Sequence, residues 1–265
     1  MTLLDKWYGK VDAALMKQIA VAAMFIDHAT LSFLEVARNE EGVRIMNTFA
    51  AGKALDEIGR GIGRLAFPVF CFMIVEGFFH TRDRWRYLIR LLICAVVSQL
   101  PFCLLVFPES TKPHADTIFT LTIGYVLIWC IDTLRRKLVG DGKLIGEEKM
   151  TALRAARLAV LALLGGGLTY AACMLALWRG CDYKYGGVIC ILILYLFYDA
   201  REWALTLAWL WLSYYNHNEI LAITGFALIW CCNGKRGRQK KYFFYLFYPG
   251  HLLLLYLIRK AIWGI

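Results

Sequence analysis

KQIAVAAMFIDHATLSFLE, residues 17–35, is an apolar run of bilayer length that nevertheless holds Asp27 and His28 in its interior. At 1.5 Å and about 100° per residue, Lys17 and His28 fall on one helix face, roughly 16 Å apart along the axis. An ionisable side chain at membrane depth costs on the order of 3 kcal/mol to insert, so such groups face a wet or protein-lined interior and mark a pathway or reaction site. The run is therefore read as a membrane helix that turns a histidine, with a carboxylate beside it in sequence, toward something polar.

The rest of the chain agrees with this. Of its 265 residues, 60% are hydrophobic and 15% aromatic, and its mean hydropathy is +0.54. Ordinary soluble domains hold roughly 45–50% apolar residues. The expected fold is all-α, a polytopic transmembrane helical bundle of about nine spans (roughly eight to ten). Residues 1–265 form a single integral membrane domain, with 1–16 an amphipathic leader. No cleavable signal pattern precedes the first run, which is expected to stay as a span. The net charge of +10 lies in short clusters between apolar runs. Cytoplasmic loops look like that, so membrane lipid rather than nucleic acid is the expected partner. The nine cysteines lie mostly inside apolar runs without metal-ligand spacing. They read as small hydrophobes, and no metal is expected. Cys231 and Cys232 adjoin a basic loop, where reversible acylation or plain helix-end packing fits.

The expected spans are 18–37, 58–79, 87–107, 118–134, 158–178, 187–199, 203–215, 219–232 and 242–262. Lys and Arg are denser in the loops on the amino end's side, which puts that end in the cytoplasm together with residues 82–90, 135–157 and 234–241. The second span is unusual in holding Arg60, Arg64, Pro68 and Glu76, so one of its faces must be shielded from lipid. The triple glycine 165–167 is expected to permit a bend or a close helix approach.

Several groupings carry possible chemistry. Lys17 with His28 suits a phosphate anchor and a general base, since imidazole titrates near neutrality. A snorkelling lysine and a hydrogen-bonded core histidine suit the same pattern. Whether Asp27 pairs with His28 or with an arginine of another helix is open, because the two point about 100° apart. Arg60 and Arg64 share a face and suit either an anionic ligand or ion pairs to Asp27 or Glu76. Glu76 and His80 lie one turn apart. Arg82, Arg86 and Arg90, at helical spacing, suit a phosphate cradle or lipid headgroups. Asp182, Tyr183 and Tyr185 lie on an outer loop where a carboxylate can hold an amine, and His251 in the last span is a second intramembrane histidine. Soluble-enzyme signatures are absent: no Gly-rich nucleotide loop, no GxSxG, no HExxH.

KQIAVAAMFIDH, IGRLAFPVFCFMIVEGFFHTRD, WRYLIRLL, SQLPF, CDYKYGG and FYLFYPGHLLLLY together resemble the successive motifs of the TraX family of integral membrane acetyltransferases. They are also similar to the wider group of transmembrane acyltransferases with a Lys or Arg and a histidine in the first span, here Lys17 and His28. The resemblance implies a multi-pass protein of the bacterial cytoplasmic membrane. It implies transfer of an acetyl or other acyl group from cytosolic acetyl-CoA, or another acyl-CoA, to an acceptor such as a peptide, pilin or glycan at the outer face. It makes His28 the catalytic base, Asp27 an orienting group, and Lys17, Arg82, Arg86 and Arg90 ligands of the CoA phosphates. Arg64 and Glu76 become site-lining, with His80, Asp182, Tyr185 and His251 as further candidates. Direct attack on the thioester is expected rather than a covalent acyl-histidine, and no oxyanion donor is assigned. A secondary transporter for an anionic or peptide substrate is the alternative, and a non-enzymatic scaffold a third. The enzyme reading requires the imidazole to open on a cavity that also reaches the basic inner rim.

Overall fold

The structure, a computed structural model, describes residues 9–108, 110, 114–140, 151–238 and 242–264. Residues 1–8 of the expected leader, 141–150 of the long basic loop and 239–241 of the last one lie outside the described residues. The described chain forms α1 Ala13–Thr30, α2 Gly52–Gly63, α3 Ala66–His80, α4 Arg84–Val106, α5 Thr117–Leu138, α6 Ala152–Trp178, α7 Lys184–Leu196, α8 Arg201–Tyr215, α9 Ile223–Trp230 and α10 Phe243–Trp263. Among the described residues there is no strand, only isolated bridges such as Val11 with Cys232. Four helices open on a side chain that their first turn needs. Asp12, Asp83, Asp116 and Thr151 accept from the backbone N–H of Leu15, Arg86, Phe119 and Arg154. Each takes up an N–H that a helix start leaves without an intrahelical partner.

Among the described residues, five stretches are long and apolar enough to cross a bilayer: Ala13–Val36, Gly52–His80, Arg84–Val106, Thr117–Leu138 and Ala152–Trp178. They fall on the first five expected spans. Expected spans six and seven are the 13 residues of α7 and the 15 of α8. The eighth is a 3-10 turn, His217–Ala222, followed by the 8 residues of α9. Each is shorter than the roughly 20 residues needed to cross the hydrocarbon. The ninth, α10, has 21 residues but carries His251, Arg259 and Lys260. The leader ends sooner than expected, because the Asp12 cap starts α1 at Ala13.

The second stretch is interrupted where proline requires it. Pro68 lacks an N–H and its ring crowds the carbonyl four residues back, which belongs to Arg64, where α2 stops and α3 has not begun. Gly225 of α9 packs on this break: a Cβ there would stand 2.4 Å from the Leu65 carbonyl oxygen. In α1 the last turn widens into a π turn, Leu31–Val36, a feature that concentrates at functional positions.

α1, α4 and α10 run in one sense. Lys17 lies beside Phe244 and His28 beside His251, while Cys94 faces the Tyr245 carbonyl and Arg259 donates to the carbonyls of Leu104 and Leu105. α2 and α3 run against α1, with Gly59 on Thr30 and Gly63 on Asp27. A Cβ at these glycines would stand 2.1 Å from Thr30 Oγ1 and 2.2 Å from Asp27 Oδ1. Only glycine permits this approach, a small-residue contact of the kind membrane helices use. The glycines at 165–167 do something else than expected. α6 runs unbroken through them, and a Cβ at any of the three meets nothing within 4 Å. The helix stays continuous there, with Thr169 Oγ1 donating to the Gly165 carbonyl at 2.8 Å, and α6 lies on the outside, burying only Leu161 and Ala176.

Candidate functional site

The glycine contact between α1 and α2 brings opposite charges together. Arg60 places Nη1 2.8 Å from Asp27 Oδ2 and Nε 3.0 Å from Glu35 Oε1. Asp27 therefore pairs with an arginine of the neighbouring helix, which settles the question its 100° offset from His28 left open. Four residues further, Arg64 puts Nη1 2.6 Å from Glu219 Oε1, a carboxylate only 1% exposed. His28 turns the other way, to α10. Its Nδ1 is 2.8 Å from His251 Nε2, and His251 Nδ1 is 2.8 Å from the Phe247 carbonyl oxygen.

Two cavities meet at this point. The first has Lys17 at one end and Asp27 with His28 at the other, and Met24, Phe70, Ile74 and Leu121 among its lining. The second is polar: Arg44, Arg60, Arg64 and Lys184 stand among Asp27, Glu35, Asp182 and Glu219. Asp27, His28, Asp182 and Tyr183 line both. His28 and Lys17 thus line one and the same cavity. Lys17 holds its ammonium 3.8 Å from the centroid of the Phe244 ring, and Arg236 stands close to it. The first cavity suits a long, largely apolar arm with an anionic head at the lysine; the second suits a strongly polar group.

The arginine cradle expected at 82, 86 and 90 is not one helix face. α3 ends at His80 and α4 begins at Arg84 after the Asp83 cap, so Arg82 lies in the turn between them, exposed. Arg86 leans back 3.0 Å to Asp83, its side chain 80% exposed. Of the three only Arg90 packs on residues that line the first cavity, over Tyr87 and against Tyr245, with its Nε buried and without a hydrogen-bond partner. Glu76 and His80 line neither cavity. Glu76 accepts from the Tyr198 hydroxyl at 3.0 Å, and His80 lies 3.3 Å from its other oxygen. They sit at the far end of α3 from Arg64, since one helix cannot present both ends to one site. Tyr185 also lies away, packed against Tyr215 and Trp211. Its neighbour Tyr183 takes the place instead, with its ring stacked on Phe67 at 3.4 Å. Arg64 and Asp182 line the polar cavity, Asp182 accepting from Thr117 Oγ1 at 2.9 Å, whereas His251 lines neither cavity and meets the site only through His28.

Sequence reasoning passed over four residues. Glu219 hid in a loop-like NHNE run, and its only signal was that a carboxylate there opens an apolar segment. Tyr183 was noted but not chosen over Tyr185, and Arg236 read as one more loop charge. Tyr248 lines the first cavity beside the His28 ring, at 6.4 Å between centroids. Its hydroxyl is buried and lies near Thr117 without a hydrogen bond of ordinary geometry.

The family described as TraX protein matches residues 12–259. "Probable fimbrial assembly protein FimC, serogroup H1" of Dichelobacter nodosus is 33% identical over 260 residues, covering 91% of this chain and 92% of that protein. No solved structure matches the chain. With a family match over nearly its whole length and a relative alike from end to end, the chain belongs to the TraX family.

Proposed function

We propose that the protein is a membrane acyltransferase that moves an acetyl or other acyl group from acyl-CoA to an amine or hydroxyl acceptor. The observation that carries this is the position of His28, where an apolar cavity beginning at Lys17 abuts a polar cavity rich in both signs of charge. On this reading the amino end lies in the bacterial cytoplasm and the long apolar helices cross the membrane. Lys17, Arg90 and Arg236 then rim the cytosolic mouth and hold the CoA phosphates. The pantetheine arm lies along the apolar wall, and the acceptor enters the polar cavity from outside. The relative is named for fimbrial assembly, which favours the amino end of a pilin-like peptide over a glycan as acceptor.

The reaction follows from these positions. The imidazole of His28 takes a proton from the neutral acceptor amine as its nitrogen attacks the thioester carbonyl carbon. The C–O π electrons move to oxygen, and the buried Tyr248 hydroxyl donates a hydrogen bond to that oxyanion. As the carbonyl re-forms, the C–S bond breaks and the CoA thiolate takes the proton back from His28. The products are the amide and CoA thiol. Arg60 bridges Asp27 and Glu35 beside the acceptor. The test is acyl transfer by purified protein in proteoliposomes from labelled acetyl-CoA to a synthetic peptide. Transfer requires a free peptide amino end and is lost in His28→Ala with acyl-CoA binding kept; full activity in that variant removes His28 from the mechanism.

The same pair of abutting cavities also fits a carrier for an anionic or peptide substrate. Solute flux across proteoliposomes without CoA, in the absence of transfer with it, would select that reading.

A further inference from the structure

We infer that His251 is a positioning residue that fixes His28 as its Nδ1–H tautomer, and so presents the Nε2 lone pair of His28 to the junction of the two cavities. The inference rests on the acyltransferase reading for its consequence in catalysis, but its structural content stands apart from it. The argument starts at the far end of the chain of contacts. A backbone carbonyl only accepts, so the His251 nitrogen 2.8 Å from the Phe247 oxygen, Nδ1, must carry the proton. A neutral imidazole has one N–H, so His251 Nε2 is left as an acceptor. The nitrogen facing it at 2.8 Å, His28 Nδ1, must then be the donor. A neutral His28 consequently has its lone pair on Nε2.

Three further observations make this arrangement rigid. The two rings are inclined by only 18°, with centroids 5.1 Å apart against a nitrogen separation of 2.8 Å. That is the geometry of rings meeting edge to edge, so the N–H points along an in-plane lone pair. The Phe247 ring lies on His251 at 4.8 Å and 13°, which stops the imidazole from turning. Both histidines are buried, at 9% and 4% exposure, so water does not compete for these nitrogens. His251 lines neither cavity while His28 lines both. The edge of His28 away from His251 is therefore the one that meets a reactant, and the second histidine acts through the first.

Two measurements test this. In full-length protein carrying 15N-labelled histidine, the signals lost in His28→Gln and His251→Gln identify the two rings. Both are expected as the Nδ1–H tautomer; an Nε2–H tautomer at His28 overturns the inference whether or not the protein transfers acyl groups. In the transfer assay, His251→Leu, which removes the acceptor, is expected to lower kcat roughly 10–100-fold, as losing an outer-shell orienting partner does elsewhere, with KM for acetyl-CoA unchanged. His251→Gln, whose side-chain oxygen accepts from His28 Nδ1, is expected to restore most of it. Equal kcat in wild type and His251→Leu overturns the positioning role. Absence of any transfer by wild type, with both tautomers as expected, counts against the acyltransferase reading and leaves the tautomer assignment standing.

Discussion

Gly63→Ala is the most informative single change, because it presses on the contact that sets the site. The added Cβ would stand 2.2 Å from Asp27 Oδ1 and 2.4 Å from both Asp27 Cβ and Cγ. Ordinary carbon–carbon contact is about 3.5–4.0 Å, so α1 and α2 must part by about 1 Å or more. Asp27 Cβ is fixed to the α1 backbone and cannot swing aside as a side-chain tip would. Overpacking of this kind costs about 1–3 kcal/mol. The same movement stretches the 2.8 Å Arg60–Asp27 contact and shifts His28, the next residue, relative to α10. Misplacement of a reacting group by 1 Å costs up to ~100-fold in rate. Thermal unfolding of the protein in detergent and initial rates of acetyl transfer read the two effects. Gly166→Ala is the control: the same chemical change in the interior of α6 with nothing within 4 Å, expected to stabilise by up to about 1 kcal/mol through helix propensity. If Gly63→Ala matches Gly166→Ala in both measurements, the close α1–α2 contact does not exist as described.

Four further outcomes are expected. Lys17→Gln should raise KM for acetyl-CoA with little change in kcat, measured by initial rates, because in the proposed function Lys17 holds the head of the donor and not the reacting carbon. Tyr248→Phe should lower kcat by roughly 100-fold, the usual cost of one oxyanion donor, with KM unchanged in the same assay. Burial pushes Asp116 up to about 7 from 3.8. Between those values the folded state binds more protons than the unfolded one, so this group makes stability fall as pH rises from about 4 to 7. Asp116→Asn, still able to cap α5, should flatten that decline in a pH series of melting temperatures. Arg259 is fully buried and donates to the Leu104 and Leu105 carbonyls at 2.6 Å each; Arg259→Leu strands two acceptors at about 1–3 kcal/mol apiece, which denaturation in detergent should register as a large loss.

Much of the helix map was legible because it is local. The five long apolar stretches fall on the first five expected spans, whereas the start of α1 at the Asp12 cap, that of α4 at the Asp83 cap and the break before Pro68 differ from the expected bounds, although each is set by a bond or clash within four residues. What misled was spacing carried across a helix end. Arg82, Arg86 and Arg90 share a face only if one helix runs through them, and the Asp83 cap ends that assumption. The glycines of 165–167 misled in the opposite direction, since a glycine looks alike in sequence whether or not a neighbour presses on it.

By itself the sequence determined that this is a helical membrane protein whose first long helix holds a histidine on the same face as Lys17, since hydropathy and the 3.6-residue turn are properties of a single segment. It did not determine what the charged groups meet. Which arginine neutralises Asp27, that Glu219 rather than Glu76 faces Arg64, and that His251 sits at hydrogen-bond distance from His28 were decided by how helices far apart in the chain pack. Pairing at membrane depth depends on distances of a few ångströms between segments up to 223 residues apart, and no local pattern encodes those.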